Sequence, residues 1–305
     1  MTTPFTSAVT LEEAIAAIAQ GARPVAGGTD LVVGARQGKK SLPEAIVAID
    51  RIEALRGLSA NGAGLHLGAL ATHEAIVTSA DVRSSYSALA DSSAIVGSHA
   101  TRAHGTIGGN VMNASPAMDT GGALLCFGAT VTLRSAEGER VVPVGDLWTG
   151  PGATSASAEE LLVGVDLPAP AAGTGSAYVR LEYRRQMEIA VVGATAVVTV
   201  SGDAATITDA RIAITALAPT IRRVAEAERA LIGTDGGDDA VVAAARAVAA
   251  GSAPIGDVRA SADYRTAMAE VVARRAVAGA LARARGETLP IPASDALFGA
   301  EGDLR

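Results

Sequence analysis

Thr10 followed three residues later by Glu13, with Leu11, Ile15 and Ile18 at helical spacing, predicts a capped helix that Gly21 ends. Apolar residues 24–26 run into Gly27-Gly28 and predict a short strand and a tight turn. Further strands are expected over residues 45–49 and 65–70, and short strands and helices mix to about residue 125. Residues 130–134 and 140–144 alternate around Ser135-Ala136-Glu137-Gly138 and predict a hairpin, and 161–167 another strand. From Pro168 to Gly175 the chain is rich in Pro, Gly and Ala without periodicity, which marks a boundary. Strands over 178–183, 194–200 and 210–215 then precede helices over 221–232, 239–249 and 264–285, the last ended by Gly286. The reading is an α+β chain: one unit over 1–170, and a second over 176–290 in which a three-stranded antiparallel sheet carries a helical layer.

A length of 305 residues suits two domains, each with a core. The chain has one cysteine, so it excludes an intrachain disulfide, a Cys-rich zinc site and an iron–sulfur cage of its own. Cys126 lies in the apolar run 124–127 and is expected in the core. Aromatic content of 3% and a net charge of −7 argue against a nucleic-acid groove. Met1-Thr2-Thr3-Pro4-Phe5 lacks the features of a leader, and no long uncharged apolar run suggests a membrane span, so a cytoplasmic protein is expected. His66, His73, His99 and His104 have no metal-ligand spacing, and no nucleophile elbow occurs. His104, beside the second glycine pair, is a possible aid to an incoming phosphate.

Two segments stand out: Ala26-Gly27-Gly28-Thr29-Asp30 and Thr106-Ile107-Gly108-Gly109-Asn110. Paired glycines permit positive φ and lack Cβ, so successive backbone N–H groups can converge on an anion such as a diphosphate. Each charge-assisted contact contributes about 1.5–3 kcal/mol, so a few of them hold a dinucleotide without a basic patch. Arg36 is a nearby counter-charge. Gly62-Ala63-Gly64-Leu65-His66-Leu67-Gly68 lacks the Rossmann spacing and precedes a strand, and the 34–41 segment has the wrong order for a Walker A loop.

Together these residues resemble the FAD-binding medium subunits of the molybdenum hydroxylases, the xanthine dehydrogenase and carbon monoxide dehydrogenase group. The likeness rests on Ala26-Gly27-Gly28-Thr29-Asp30-Leu31 and on Thr106-Ile107-Gly108-Gly109-Asn110 continuing through Asn113-Ala114-Ser115-Pro116-Ala117-Met118-Asp119-Thr120. It continues at Gly150-Pro151 and at Asp257-Val258-Arg259-Ala260-Ser261-Ala262-Asp263-Tyr264-Arg265, and so covers nearly the whole chain. The resemblance implies a PCMH-type FAD-binding domain of two α/β subdomains, followed by the C-terminal flavoprotein domain. It implies that Ala26 to Asp30 and Thr106 to Asn110 wrap the diphosphate and sugar of noncovalent FAD, and that Asp119 hydrogen-bonds the cofactor. Leu162, Arg180 and Ile189 match residues near the flavin ring. There are departures: Arg102-Ala103-His104 replaces an Arg-Asn-Arg element, Glu188-Ile189-Ala190 an Asp-x-Ala element, and Thr29-Asp30 the His-Ser of carbon monoxide dehydrogenases. The last favours a relative acting on an organic substrate.

The implied activity is that of an oxidoreductase subunit with no catalytic acid, base or metal ligand of its own. It would carry electrons from [2Fe–2S] clusters in a small partner subunit through FAD to a terminal acceptor. A large partner subunit would hold the molybdopterin cofactor, and the assembly would be a dimer of heterotrimers. The rival readings are a self-contained flavin reductase of the same fold and a non-redox nucleotide-binding scaffold.

Overall fold

A computed structural model describes residues 4–38 and 41–297. Met1 to Thr3, read above for a leader, and Lys39-Lys40 of the rejected phosphate-loop match lie outside them. The predicted capping box forms: Thr10 Oγ1 accepts from the Glu13 N–H, and the Glu13 carboxylate accepts from the Thr10 N–H, opening the helix Leu11–Ala19. That helix packs on a small parallel sheet in which Ile46–Ala48 lies between Phe5–Ser7 and Arg23–Val25. The second subdomain is a five-stranded antiparallel sheet, ordered Leu58–Asn61, Gly64–Gly68, Leu161–Pro168, Thr130–Ser135, Gly138–Pro143. Its last two strands are the predicted hairpin.

The segment between these strands departs from the expected mixture. From His73 to Cys126 the described elements are all helices, beginning with His73–Thr78 and ending with Asp119–Cys126. Short capped helices explain why: Thr72, Ser79, Ser98 and Thr106 each cap the helix that follows. Small residues let these helices enter the core, where Ala88, Ala90, Ala123 and Leu124 are fully buried. Cys126 is buried there too, and burial pushes its thiol well above the ordinary range, so it is core and not a nucleophile.

In the C-terminal unit Thr174–Leu181, Val192–Val200 and Ile207–Thr215 form the expected antiparallel sheet. A two-residue edge strand, Arg222–Arg223, is added to it. This edge is the reason the expected helix over 221–232 starts only at Ala225: Val224 N–H donates to Ile212 O and belongs to the sheet side. Helices Ala225–Leu231 and Ala262–Ala284 cover one face, and Asp238–Ala250 packs on both of them. The other face meets Asp119–Cys126 of the first unit, and Tyr178, Val197, Ala213 and Ile221 join the first unit's core. Gly122 makes that approach possible, since a Cβ there would stand 2.3 Å from Thr195 Oγ1. At the same junction Asp91, fully buried, accepts from both Arg283 Nη atoms and from the Tyr178 and Ala293 N–H groups. No helix among the described residues is long and apolar enough to cross a membrane.

Candidate functional site

The first glycine segment makes the predicted sharp change of direction. Gly28 has φ +67°, a left-handed backbone that glycine adopts without cost, and it opens the helix Thr29–Arg36. Gly28 has no side chain to cap this helix, so the start of the helix presents the positive end of its dipole to an anion. Gly27 serves a different end. A Cβ there would lie 1.8 Å from the His104 carbonyl oxygen, so only glycine lets this turn rest on the last residue of the helix His99–His104. A Cβ on the adjacent Gly105 would come within 3.5 Å of Thr29 Oγ1. The two glycine segments, some eighty positions apart in sequence, are thereby brought side by side.

The second segment is not the tight turn its glycines suggest. Thr106 is an N-cap and Ile107–Asn113 is a helix, so Gly108 and Gly109 sit in a helical first turn. Its amides are already spent: Ile107 donates to Ala71 O, Gly108 to Ala69 O, Gly109 to Thr106 Oγ1 and Asn110 to Thr106 O, all at 2.9–3.1 Å. Gly108 is needed for contact, since its Cβ would fall 2.7 Å from Ala69 O. Gly109 faces open space except for Thr106 Oγ1 at 3.2 Å. Asn110 Oδ1 accepts from Thr120 Oγ1 at 2.6 Å. This segment therefore permits close approach at Gly109, while the first presents the start of a helix.

Under the junction lies His73, which sequence reasoning set aside. Its N–H donates to Gly105 O, its ring abuts Gly105, and its buried Nδ1 has no hydrogen-bond partner. Burial, with nearby Arg102 adding to the effect, lowers its pKa from 6.5 to about 4, so the ring is neutral at pH 7. Arg102 is itself buried and donates to Val96 O and His99 Nδ1. The available signal was Thr72 before His73, a cap that fixes the ring at a helix start.

Asp119 and Arg180 form a buried pair at 2.8 Å between the units. Tyr178 OH donates to the other Asp119 oxygen at 2.7 Å, and Arg180 also holds Glu182 through Nε and Nη2. Burial disfavours the Arg180 charge, yet Asp119, Tyr178 and Glu182 outweigh it and keep the guanidinium protonated. Asp119 thus holds Tyr178 and Arg180 through one bond to each of its oxygens. Leu162 is buried at a bulge of the strand Leu161–Pro168, on which helix Ile107–Asn113 packs. Ile189 is 47% exposed on the loop after Leu181. That loop reaches the glycine junction through Met187, whose N–H donates to Gly97 O and whose sulfur accepts from Thr101 Oγ1 on the helix His99–His104. Arg36 is exposed in the last turn of its helix, about 12 Å along the axis from Gly28. The structure does not bring it to the N-terminal donors.

These features fit a dinucleotide. An uncapped helix start supplies anion donors, Gly109 leaves room for close approach, and an open apolar residue, Ile189, lies on a loop at the same edge. Residues 1–170 match the FAD binding domain in molybdopterin dehydrogenase, and residues 177–280 the CO dehydrogenase flavoprotein C-terminal domain. The carbon monoxide dehydrogenase medium chain of Afipia carboxidovorans is 34% identical over 88% of this chain and 92% of its own length. Subunit alpha of the 6-hydroxypseudooxynicotine dehydrogenase complex of Paenarthrobacter nicotinovorans is 31% identical over 92% and 95%. A solved carbon monoxide dehydrogenase from Hydrogenophaga pseudoflava superimposes with a TM-score of 0.88 at 32% identity, covering 93% of this chain and 98% of that one. The chain is an FAD-binding oxidoreductase subunit and belongs to the family of FAD-binding medium subunits of the molybdenum hydroxylases.

Proposed function

We propose that this chain is the electron outlet of a cytoplasmic multi-subunit molybdenum hydroxylase. In this reading it receives electrons from [2Fe–2S] clusters on a small partner subunit, a large partner subunit holds the molybdopterin cofactor, and the assembly is a dimer of heterotrimers. Residues 1–170 would hold noncovalent FAD and residues 176–290 would complete its site. The observation that carries the reading is the contact of Gly27 with His104, which sets the start of helix Thr29–Arg36 beside Gly105, at the head of the segment that holds Gly109. FAD bound there would supply a centre that accepts electrons singly and releases them in pairs to a terminal acceptor.

The chain's own residues then have distinct tasks. Ala26 to Asp30 bind the diphosphate through the start of helix Thr29–Arg36, and the segment Thr106 to Asn110 approaches it at Gly109, where no side chain intervenes. Asp119 holds Arg180 and Tyr178 in the buried seam between the units, and Leu162 and Ile189, which match residues near the flavin ring, exclude water from it. Arg36 acts only as a distant counter-charge. Relatives named for carbon monoxide and for 6-hydroxypseudooxynicotine match comparably, so the substrate is set outside this chain.

The test is to purify the chain with its partners and measure flavin, iron and molybdenum. One FAD per chain, with iron and molybdenum in copurifying chains, is expected. A folded, colourless protein that takes up no added FAD overturns the reading. Flavin without such partners favours a self-contained reductase, and bound flavin that reduced partner clusters leave oxidised favours a scaffold.

A further inference from the structure

The Asp257–Arg265 segment, prominent in the sequence, lies outside the glycine junction. It forms the turn before helix Ala262–Ala284 and is cross-linked through one carboxylate. Asp257 Oδ1 accepts from the Arg259 N–H at 2.8 Å, the Ala260 N–H at 3.3 Å and Arg265 Nη2 at 2.7 Å, while Oδ2 accepts from Arg259 Nη1 at 3.0 Å. Partial burial opposes the Asp257 charge, but these donors more than offset it and hold its pKa down to about 2.

The cross-linked turn is fastened to the loop that bears Ile189. Arg265, only 3% exposed, sends Nη1 to Val191 O. Tyr183 OH donates to Arg259 O, and Arg259 Nε lies 4.0 Å from Glu188 Oε1. The loop is thus fixed at its start, middle and end from one side. On the other side Met187, at φ +53°, meets Gly97. A non-glycine residue in that region is strained by about 1–2 kcal/mol and persists only where its surroundings hold it. An arginine buried in place of an apolar side chain adds little net stability, yet it fixes two partners in direction.

We infer that Asp257 and Arg265 are positioning residues that clamp the 183–191 segment and through it hold Ile189 against the flavin. The flavin half of this statement rests on the function proposed above; the clamp half does not.

The full chain carries the test, as Arg265→Gln and Asp257→Asn, the second keeping an oxygen acceptor in case the first fails to fold. Arg184 and Arg185 are exposed on the clamped loop, so trypsin reports its opening. Cleavage after them should accelerate about tenfold in Arg265→Gln and less in Asp257→Asn, with or without FAD, at unchanged far-UV circular dichroism. Bound FAD should show an altered visible circular dichroism band and about tenfold weaker binding. Unchanged cleavage overturns the clamp. Faster cleavage with unchanged flavin spectrum and affinity overturns the positioning role. If the wild-type chain binds no FAD while both variants open faster, the clamp is upheld and the flavin reading alone falls.

Discussion

The two glycine pairs look alike in sequence and do opposite work. At 27–28 one glycine adopts a left-handed backbone that opens a helix with its first donors uncapped, and the other yields its missing Cβ to a carbonyl. At 108–109 neither glycine has positive φ, the helix is capped by Thr106, and each amide from Ile107 to Asn110 is bonded within the protein. Gly-Gly as a motif therefore specifies no single function. A donor array needs orphan N–H groups, while a close-approach wall needs only absent side chains.

Substitutions should separate the two roles. The largest effect is expected from Gly27→Ala, whose Cβ meets backbone 1.8 Å away with no side chain to yield; a loss of about 3 kcal/mol or more, with loss of FAD, should appear in denaturant unfolding. Next comes pH, acting through His73 beneath both segments. The unfolded chain binds a proton at His73 below pH 6.5 but the folded chain only below about 4, so stability is fully present above 6.5 and falls as pH drops through that window. About 3 kcal/mol should be lost by pH 4, and His73→Phe should flatten this part of the Tm–pH curve. An unaltered curve would remove His73 from the junction. Thr106→Val deletes a cap and should cost about 1 kcal/mol with modest loss of FAD. Smallest for the fold is Gly109→Val, within about 0.5 kcal/mol of wild type because its Cβ meets only the Thr106 hydroxyl, at 3.2 Å. That variant should nevertheless lose flavin, as measured by bound absorbance at 450 nm; a full flavin complement would show that the wall at Gly109 is not used.

Legibility followed how local each determinant is. The Thr10–Glu13 box, the 130–143 hairpin and the order of strands before helices in the second unit depend on neighbours within a few residues, and the sequence displays them. The run of helices from His73 to Cys126 was obscured because alanine, serine and glycine carry little periodicity, and capping decided the outcome. Residues 221–223 read as helix, but their pairing with the strand Ile207–Thr215 is a tertiary choice. In the site, the glycines were visible, whereas the occupation of the amides of Ile107 and Gly108 depended on Ala71 and Ala69 some forty positions away. His73 was invisible for the same reason: its importance lies in what packs over it.

The Asp91 carboxylate has a bearing on modularity. It gathers Arg283 from the end of the longest helix, the Tyr178 N–H from the first strand of the second unit and the Ala293 N–H from the chain beyond. Two separately recognisable sequence segments thus share one buried anion, contributed by the first and neutralised by the second. Severing the gene near residue 175 would leave one product with an unpaired interior charge and the other with a stranded guanidinium. Such halves are expected to aggregate when made alone and to regain solubility only when coexpressed, so the smallest heritable unit here is the whole chain.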